Sequence, residues 1–256
     1  YVDDETSETI ILGMGELHLN VYIERMRREC KIKLKVLEPQ VSYRETITKA
    51  IEFNYTHKKQ SGGHGQYAQV KGILTHSGID ENIFDDEIKG GTIPKEYIPG
   101  CEKGFQSILE EGLLTGFPIV GVKMVLDDGD YHEVDSSQLA FEIATVKAFR
   151  KNYKKAKPII LEPMMNVSVE TPSEFRGNVI AIINQNRGIV GDAVVDNHFT
   201  RIDSEIPLNE TFGLATRLRS ATQGKADFTM EFNKYKPVPK SIEMEILKKR
   251  KLNEQL

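Results

Sequence analysis

Cysteine is scarce: Cys30 and Cys101 stand far apart, with no CxxC pair. That spacing speaks against a zinc cluster and a disulfide framework and fits a reducing compartment. Excess positive charge is missing too. The net charge of -4 gives no global field to draw the chain to nucleic acid, so any such contact must come from local patches. No apolar run approaches the roughly 18 residues of a membrane helix. A P-loop is missing because Gly224-Lys225 is followed by Ala226 and lacks the earlier glycine. HExxH and GxSxG are missing as well. The expectation is therefore a chain with no catalytic residue, cofactor or metal site of its own. It opens on Tyr1 rather than Met and reads as a piece of something longer, so the lack of a targeting peptide carries no meaning.

What is present is enough for substantial cores: 256 residues with 39% hydrophobic content imply two or three domains, and the elements below make the expected class α+β. Leu19, Ile23, Met26 and Cys30 recur at helical spacing after the short Thr9–Leu12 run. Ile32, Leu34 and Val36 then alternate with lysines as in a strand with one solvated side. Such a strand-helix-strand piece is half of a domain, taken as residues 1–39 and ending at Pro39. His18 reads as a packed histidine rather than a ligand.

A second domain spans 40–157. Strands are expected over Val41–Ile47, Ile51–Tyr55, Tyr67–Leu74 and Ile119–Leu126, and helices over Tyr97–Glu111 and from an Asp135 or Ser136 cap to about Asn152. The acidic Thr75–Gly91 segment reads as a solvated connection matching no EF-hand. A third domain, 158–256, has strands at Met164–Glu170, Ile189–Val195, His198–Ile206 and Ala226–Phe232. Its helices start from a Thr171–Glu174 capping box and span Glu210–Thr222, with a terminal helix over Ser241–Leu252. Strand-helix-strand-strand-helix-strand is the order of a ferredoxin-like βαββαβ sandwich.

Two loops draw the eye. In Gln60–Val70, Gly62, Gly63 and Gly65 surround His64 ahead of a strand, so an exposed main chain could meet phosphate, although a hairpin connection explains the same residues. The second loop, Asp127–Ser137, follows another strand. His132, Asp135 and Ser136 could be drawn as a hydrolytic triad, but triads are built from positions distant in sequence.

The motifs GMGELHL (Gly13–Leu19), RETI (Arg44–Ile47), QSGGHGQY (Gln60–Tyr67), IPKEYIP (Ile93–Pro99), YHEVDSS (Tyr131–Ser137), LEPMM (Leu161–Met165) and FGLATRLRSATQGKADFTMEF (Phe212–Phe232) stand in the order of elongation factor G, which the chain resembles over nearly its whole length. The run FNYTHKKQSGG resembles the mitochondrial translocation factor of this family, which would put the protein in the mitochondrial matrix, with a bacterial cytoplasmic factor as the alternative.

The resemblance implies the end of domain III followed by domains IV and V, with GTP and Mg bound in a G domain upstream. Domain IV would be a ribosomal-protein-like fold with a left-handed βαβ crossover, an exception to the usual hand. Its tip would enter the small-subunit decoding centre and move tRNA and mRNA from A to P site. The tip residues would be Ser61, Gly62, Gly63, His64, Gly65 and Gln66 from one loop, and Asp130, Tyr131, His132 and Glu133 from the other. Domain V would meet the GTPase-associated rRNA of the large subunit, and the factor would act as a monomer.

Many bacterial members carry arginine where this chain has His64, which shifts the contact toward backbone amides and Gln66. Rival readings are a ribosome-recycling member, a metabolite-kinase-like phosphotransferase and a free-standing RNA-binding module. The phosphotransferase suffers because Tyr67 leads into a strand instead of a helix N-terminus.

Overall fold

The computed structural model describes residues 2, 9–11, 16–36, 40–60, 65–196 and 198–253. The backbone forms two compact units, Tyr1–Ser42 with Glu162–Lys236 and Tyr43–Leu161 with Pro237–Leu256. The class is α+β with two sheets, as expected. In the N-terminal part, α1 (Glu16–Glu29) carries Leu19, Ile23 and Met26 half-buried, while Cys30 lies past its end and is exposed. Leu12–Gly15 fall outside the described residues. The strand expected over Lys31–Val36 does not form. Among the described residues nothing pairs with it, and alternation without a partner ladder leaves the backbone groups to water.

The central unit contains β1 (Arg44–Ile47), β2 (Ile51–Lys59), β3 (Gln66–His76), β4 (Ile83–Asp86), α2 (Ile98–Leu109), β5 (Val122–Asp130) and α3 (Gln138–Tyr153). Its sheet runs β2-β3-β5-β4, antiparallel except for the parallel β4–β5 pair. Period-two alternation sends Phe53, Val70, Leu74, Met124 and Leu126 to the face covered by α2 and α3, against Phe105, Phe141 and Phe149. The other face is polar and self-paired: Lys71 to Asp128 at 2.7 Å, Lys123 to Asp85, and Gln69 to Asn54 at 3.0 Å.

Glycines permit the closest approaches. A Cβ on Gly72, opposite the bulge at Asp127 of β5, would collide with the Val125 carbonyl, and Cβ atoms on Gly100 and Gly104 would collide with the α3 backbone. The sequence reading missed β4 inside the Thr75–Gly91 connection. It is four residues long, and Asn82 fixes it from its side chain, donating to Ile119 O at 2.7 Å and accepting from Val122 N at 2.9 Å.

The second sheet joins β1, β6 (Pro158–Pro172), β8 (Phe199–Pro207) and β7 (Ile189–Asp196) in the order β1-β6-β8-β7, and β9 (Asp227–Pro237) also pairs with β6. The β9-β6-β8-β7 portion is the expected βαββαβ sandwich, covered by α4 (Arg176–Gln185) and α6 (Leu214–Ala221) over Val167, Val169, Val179, Ile183, Ile202 and Leu218.

Three details differ from expectation. The capping box is not made: β6 continues to Pro172, Thr171 is buried within it, and Ser173 Oγ lies 3.0 Å from Thr200 Oγ1. The helix expected over Glu210–Thr222 is broken into α5 (Leu208–Thr211) and α6, because Gly213 between them sits at φ 73. Ala226, just before β9, and Phe228 on it pack on the core while Met230 and Phe232 are exposed. An eight-residue helix spans about 12 Å and an eleven-residue strand about 36 Å, so the helical layer ends first. The last helix, α7 (Lys240–Asn253), lies where the sequence places it.

Sequence reading also passed over Glu45, whose carboxylate is fully buried on β1. Five donors converge on it: Thr115 N at 2.6 Å, Thr115 Oγ1 at 2.8 Å and Gly116 N at 3.0 Å on Oε1, with Leu114 N at 3.0 Å and the Tyr153 hydroxyl at 2.7 Å on Oε2. A Cβ at Gly112 would occupy the carboxylate's space. Glu45→Ala strands these donors and leaves a cavity, so it should destabilise the central unit by about 3–5 kcal/mol. Hydrogen exchange of the α3 amides measures this, and exchange at the native rate would contradict it.

Burial, then the charge of Glu45 and its hydrogen bond, raise the Tyr153 phenol above its ordinary value of 10.0. The unfolded chain therefore loses this proton first, and the contribution of Tyr153 is complete below pH 10 and falls as pH rises past it. Tyr153→Phe should cost about 1–2 kcal/mol near neutrality. That gap should narrow by roughly 1.4 kcal/mol per pH unit above 10, read by denaturant unfolding of the two proteins at stepped pH.

Candidate functional site

One end of the central sheet brings both loops together. The β2–β3 ladder closes at Lys59 opposite Gln66, which places the glycine-rich connection at the tip of a hairpin. The β3–β5 ladder runs out at Gln69 opposite Asp130, so the second loop leaves from the adjacent strand at the same end. Of the expected tip residues, Gly65, Gln66, Asp130, Tyr131, His132 and Glu133 are described, whereas Ser61, Gly62, Gly63 and His64 lie outside the described residues.

The loops are clasped by hydrogen bonds. Gly65 N donates to Asp135 Oδ1 at 2.9 Å, Tyr67 N to Asp135 O at 2.9 Å, and Ser136 Oγ to Tyr67 O at 2.7 Å. The Tyr67 hydroxyl reaches Asp130 Oδ2 at 2.7 Å, and this bond, with partial burial, raises the phenol pKa. The cap of α3 is neither Asp135 nor Ser136 but Ser137, whose Oγ accepts from Ala140 N at 3.2 Å. The shift of one or two residues releases Asp135 and Ser136 for the clasp. Their motif was visible in sequence, but their partners lie about 70 positions away and no local pattern points to them.

Tyr131–Val134 is exposed, with the His132 side chain 56% accessible. Main-chain N–H groups of Val134 and Asp135 approach His132 Nδ1, both at 3.3 Å. An accepting Nδ1 leaves the proton on Nε2, so the neutral ring offers one outward donor. The Asp135 carboxylate is 3.8 Å from Nδ1, too long for a hydrogen bond. The triad is not assembled: Ser136 Oγ is held by Tyr67 O and His132 N, away from any role as nucleophile.

Gln66 is half-buried, its Oε1 lying 2.9 Å from Nε2 of the buried His57, whose Nδ1 is 3.4 Å from Lys147 Nζ on α3. That contact leaves the amide nitrogen and the second lone pair of Oε1 for further partners. Among the described residues no cluster of His, Cys, Asp or Glu suits a metal ion, and no helix is long and apolar enough to cross a membrane. At this edge the described residues offer main chain, an imidazole and tyrosine faces.

Family models match the chain along nearly its whole length. The model for elongation factor G domain IV matches residues 39–157, that for the elongation factor G C-terminus matches 159–246, and that for elongation factor G domain III matches 1–38. Elongation factor G 1 of Borreliella afzelii is 55% identical over 251 residues, 97% of this chain and 36% of the relative. Elongation factor G 1 of Treponema pallidum is 52% identical over 248 residues, again 97% and 36%. A crystal structure of a Thermus thermophilus protein superposes with TM-score 0.88 at 36% identity, over 98% of this chain and 38% of that one. The chain thus spans little more than a third of the length of these relatives. With its motifs in order, its two sheets formed and matched models covering nearly all of it, the chain belongs to the elongation factor G family.

Proposed function

We propose that this chain is the C-terminal part of a translocation factor, in which residues 1–39, 40–157 and 158–256 serve as the end of domain III, domain IV and domain V. Its parent hydrolyses GTP in a domain upstream and promotes movement of tRNA and mRNA from the A to the P site of the ribosome. The tip formed by Gly65, Gln66 and Asp130–Glu133, with Ser61–His64, docks against the codon-anticodon duplex in the decoding centre of the small subunit. Domain V meets GTPase-associated rRNA of the large subunit.

The observation that carries this reading is the clasp, which ties Gly65 and Tyr67 to Asp135 and Ser136, about 70 positions away, beside the exposed Tyr131–Val134 turn at the end of a well-packed sheet. RNA duplexes are read by shape, through backbone and neutral polar contacts, and a tip carrying Asp130, Glu133 and an imidazole donor suits that mode better than phosphate pairing. The relatives named elongation factor G favour translocation over recycling, and their bacterial sources favour a bacterial cytoplasm over the mitochondrial matrix.

His132 is the side chain to test. In the complete factor, His132→Ala should slow single-round translocation by about tenfold while ribosome-stimulated GTP hydrolysis stays within about twofold. Equal loss of both would reject the assignment, since a contact made only at the tip has no reason to govern hydrolysis.

A further inference from the structure

We propose that Asp135 is a positioning residue of the tip: its carboxylate, bonded to Gly65 N, fixes the exit of the glycine loop against the Tyr131–Val134 turn so that the two loops reach RNA as a single body. This rests on the proposed function for its consequence in translocation, but not for the bond itself.

The geometry behind it is unusual for a loop aspartate. Beyond Gln69 opposite Asp130, strand β3 has lost its β5 partner. Asp135 O takes over as the acceptor for Tyr67 N at 2.9 Å, and the Asp135 side chain extends the pairing to Gly65 N at 2.9 Å. Residues Tyr131–Val134 are thereby excluded from the ladder and stand out as a turn closed at its base. The closure is completed by Ser136, which donates from its main-chain N to His132 O at 3.0 Å and accepts His132 N on Oγ at 2.9 Å.

Asp135 is also fitted to its partner. A Cβ at position 65 would lie 3.0 Å from the carboxylate carbon and from Oδ2, so glycine is what lets the carboxylate seat against the backbone. The carboxylate is only 29% exposed, and among the described residues no Lys or Arg is paired with it. The acceptor oxygen it supplies is used on a main-chain amide. It is not needed to start α3, which Ser137 caps.

The test separates the bond from its consequence. In this chain, Asp135→Ala should speed hydrogen exchange at the Gly65 amide by about tenfold or more, while Asp135→Asn, which keeps an oxygen acceptor, should hold it within about threefold of the native rate. Exchange of the α3 amides should be unchanged in both. In the complete factor, Asp135→Ala should lower the saturating single-round translocation rate by about fivefold without moving the factor concentration that gives half-maximal rate, and Asp135→Asn should restore it.

Native Gly65 exchange in Asp135→Ala overturns the clasp, whatever the assay of function shows. Faster Gly65 exchange with native translocation, in a factor that His132→Ala slows, overturns the positioning role and leaves the proposed function standing. Equal slowing by Asp135→Ala and Asp135→Asn also overturns it, since charge and not the acceptor would then be what matters.

Discussion

The buried carboxylate of Glu45 is the interaction on which the central unit is hung. An ionised side chain removed from water is costly unless every lone pair finds a donor, and here the β1 carboxylate takes three main-chain N–H groups and two hydroxyls. Its backbone is used as well, since Glu45 N donates to Pro118 O and Glu45 O accepts from Val120 N, both at 2.9 Å. One residue thus fixes β1, the 112–120 loop and the C-terminal end of α3. That helix has 16 residues and is about 24 Å long. Tyr153 at one end is bonded to Glu45, and Ser137 at the other caps the helix beside the clasp.

Between those ends the core is aromatic and continuous. Phe84 meets Phe105 at 6.0 Å, Phe105 meets Phe149 at 6.1 Å, and Phe149 stacks on Tyr153 at 5.3 Å. Rings of this size bury about 150–250 Å² each and prefer offset or edge contacts, which gives the helical layer a fixed seat on the sheet. The glycines at 100 and 104 let α2 close onto α3 backbone to backbone. For the lever proposed above such packing matters, because close-packed interiors carry displacement with little compliance.

How much of this could be read from sequence follows from the range of each interaction. Strands β2, β3 and β5 and helices α2 and α3 were legible because hydrophobic period is a local property. β4 was not, because four residues carry too little periodicity, and the bond network of Asn82 that makes it a strand is non-local. The break at Gly213 had a local sign, a glycine in a helical pattern, but the stripe around it outweighed that sign. Lys31–Val36 had an ideal strand pattern and no ladder, so pattern alone was insufficient. At the tip, the loops were legible as glycine and polar motifs, but not the Asp135–Gly65 and Ser136–Tyr67 bonds that join them. The α3 cap was misplaced because three adjacent residues, Asp135, Ser136 and Ser137, all have capping side chains. Only the tertiary partners decide which one is left for the helix.

The charge pattern supports a division of labour within the central unit. On its open sheet face Lys71 and Lys123 are paired with Asp128 and Asp85, which uses up local cations that would attract RNA without regard to position. In the proposed function, RNA is met at the edge where the two connections leave the sheet. Such an edge lacks strong cationic attraction, so its contribution depends on arriving already ordered. Fixing one residue's backbone costs about 1–2 kcal/mol, most for glycine, and a handful of unfixed residues would consume what a few neutral hydrogen bonds to RNA return. Tying Gly65 and Tyr67 down within the free protein settles part of that cost before the proposed docking begins, which is why a carboxylate bonded to a glycine amide suits the tip of the proposed lever.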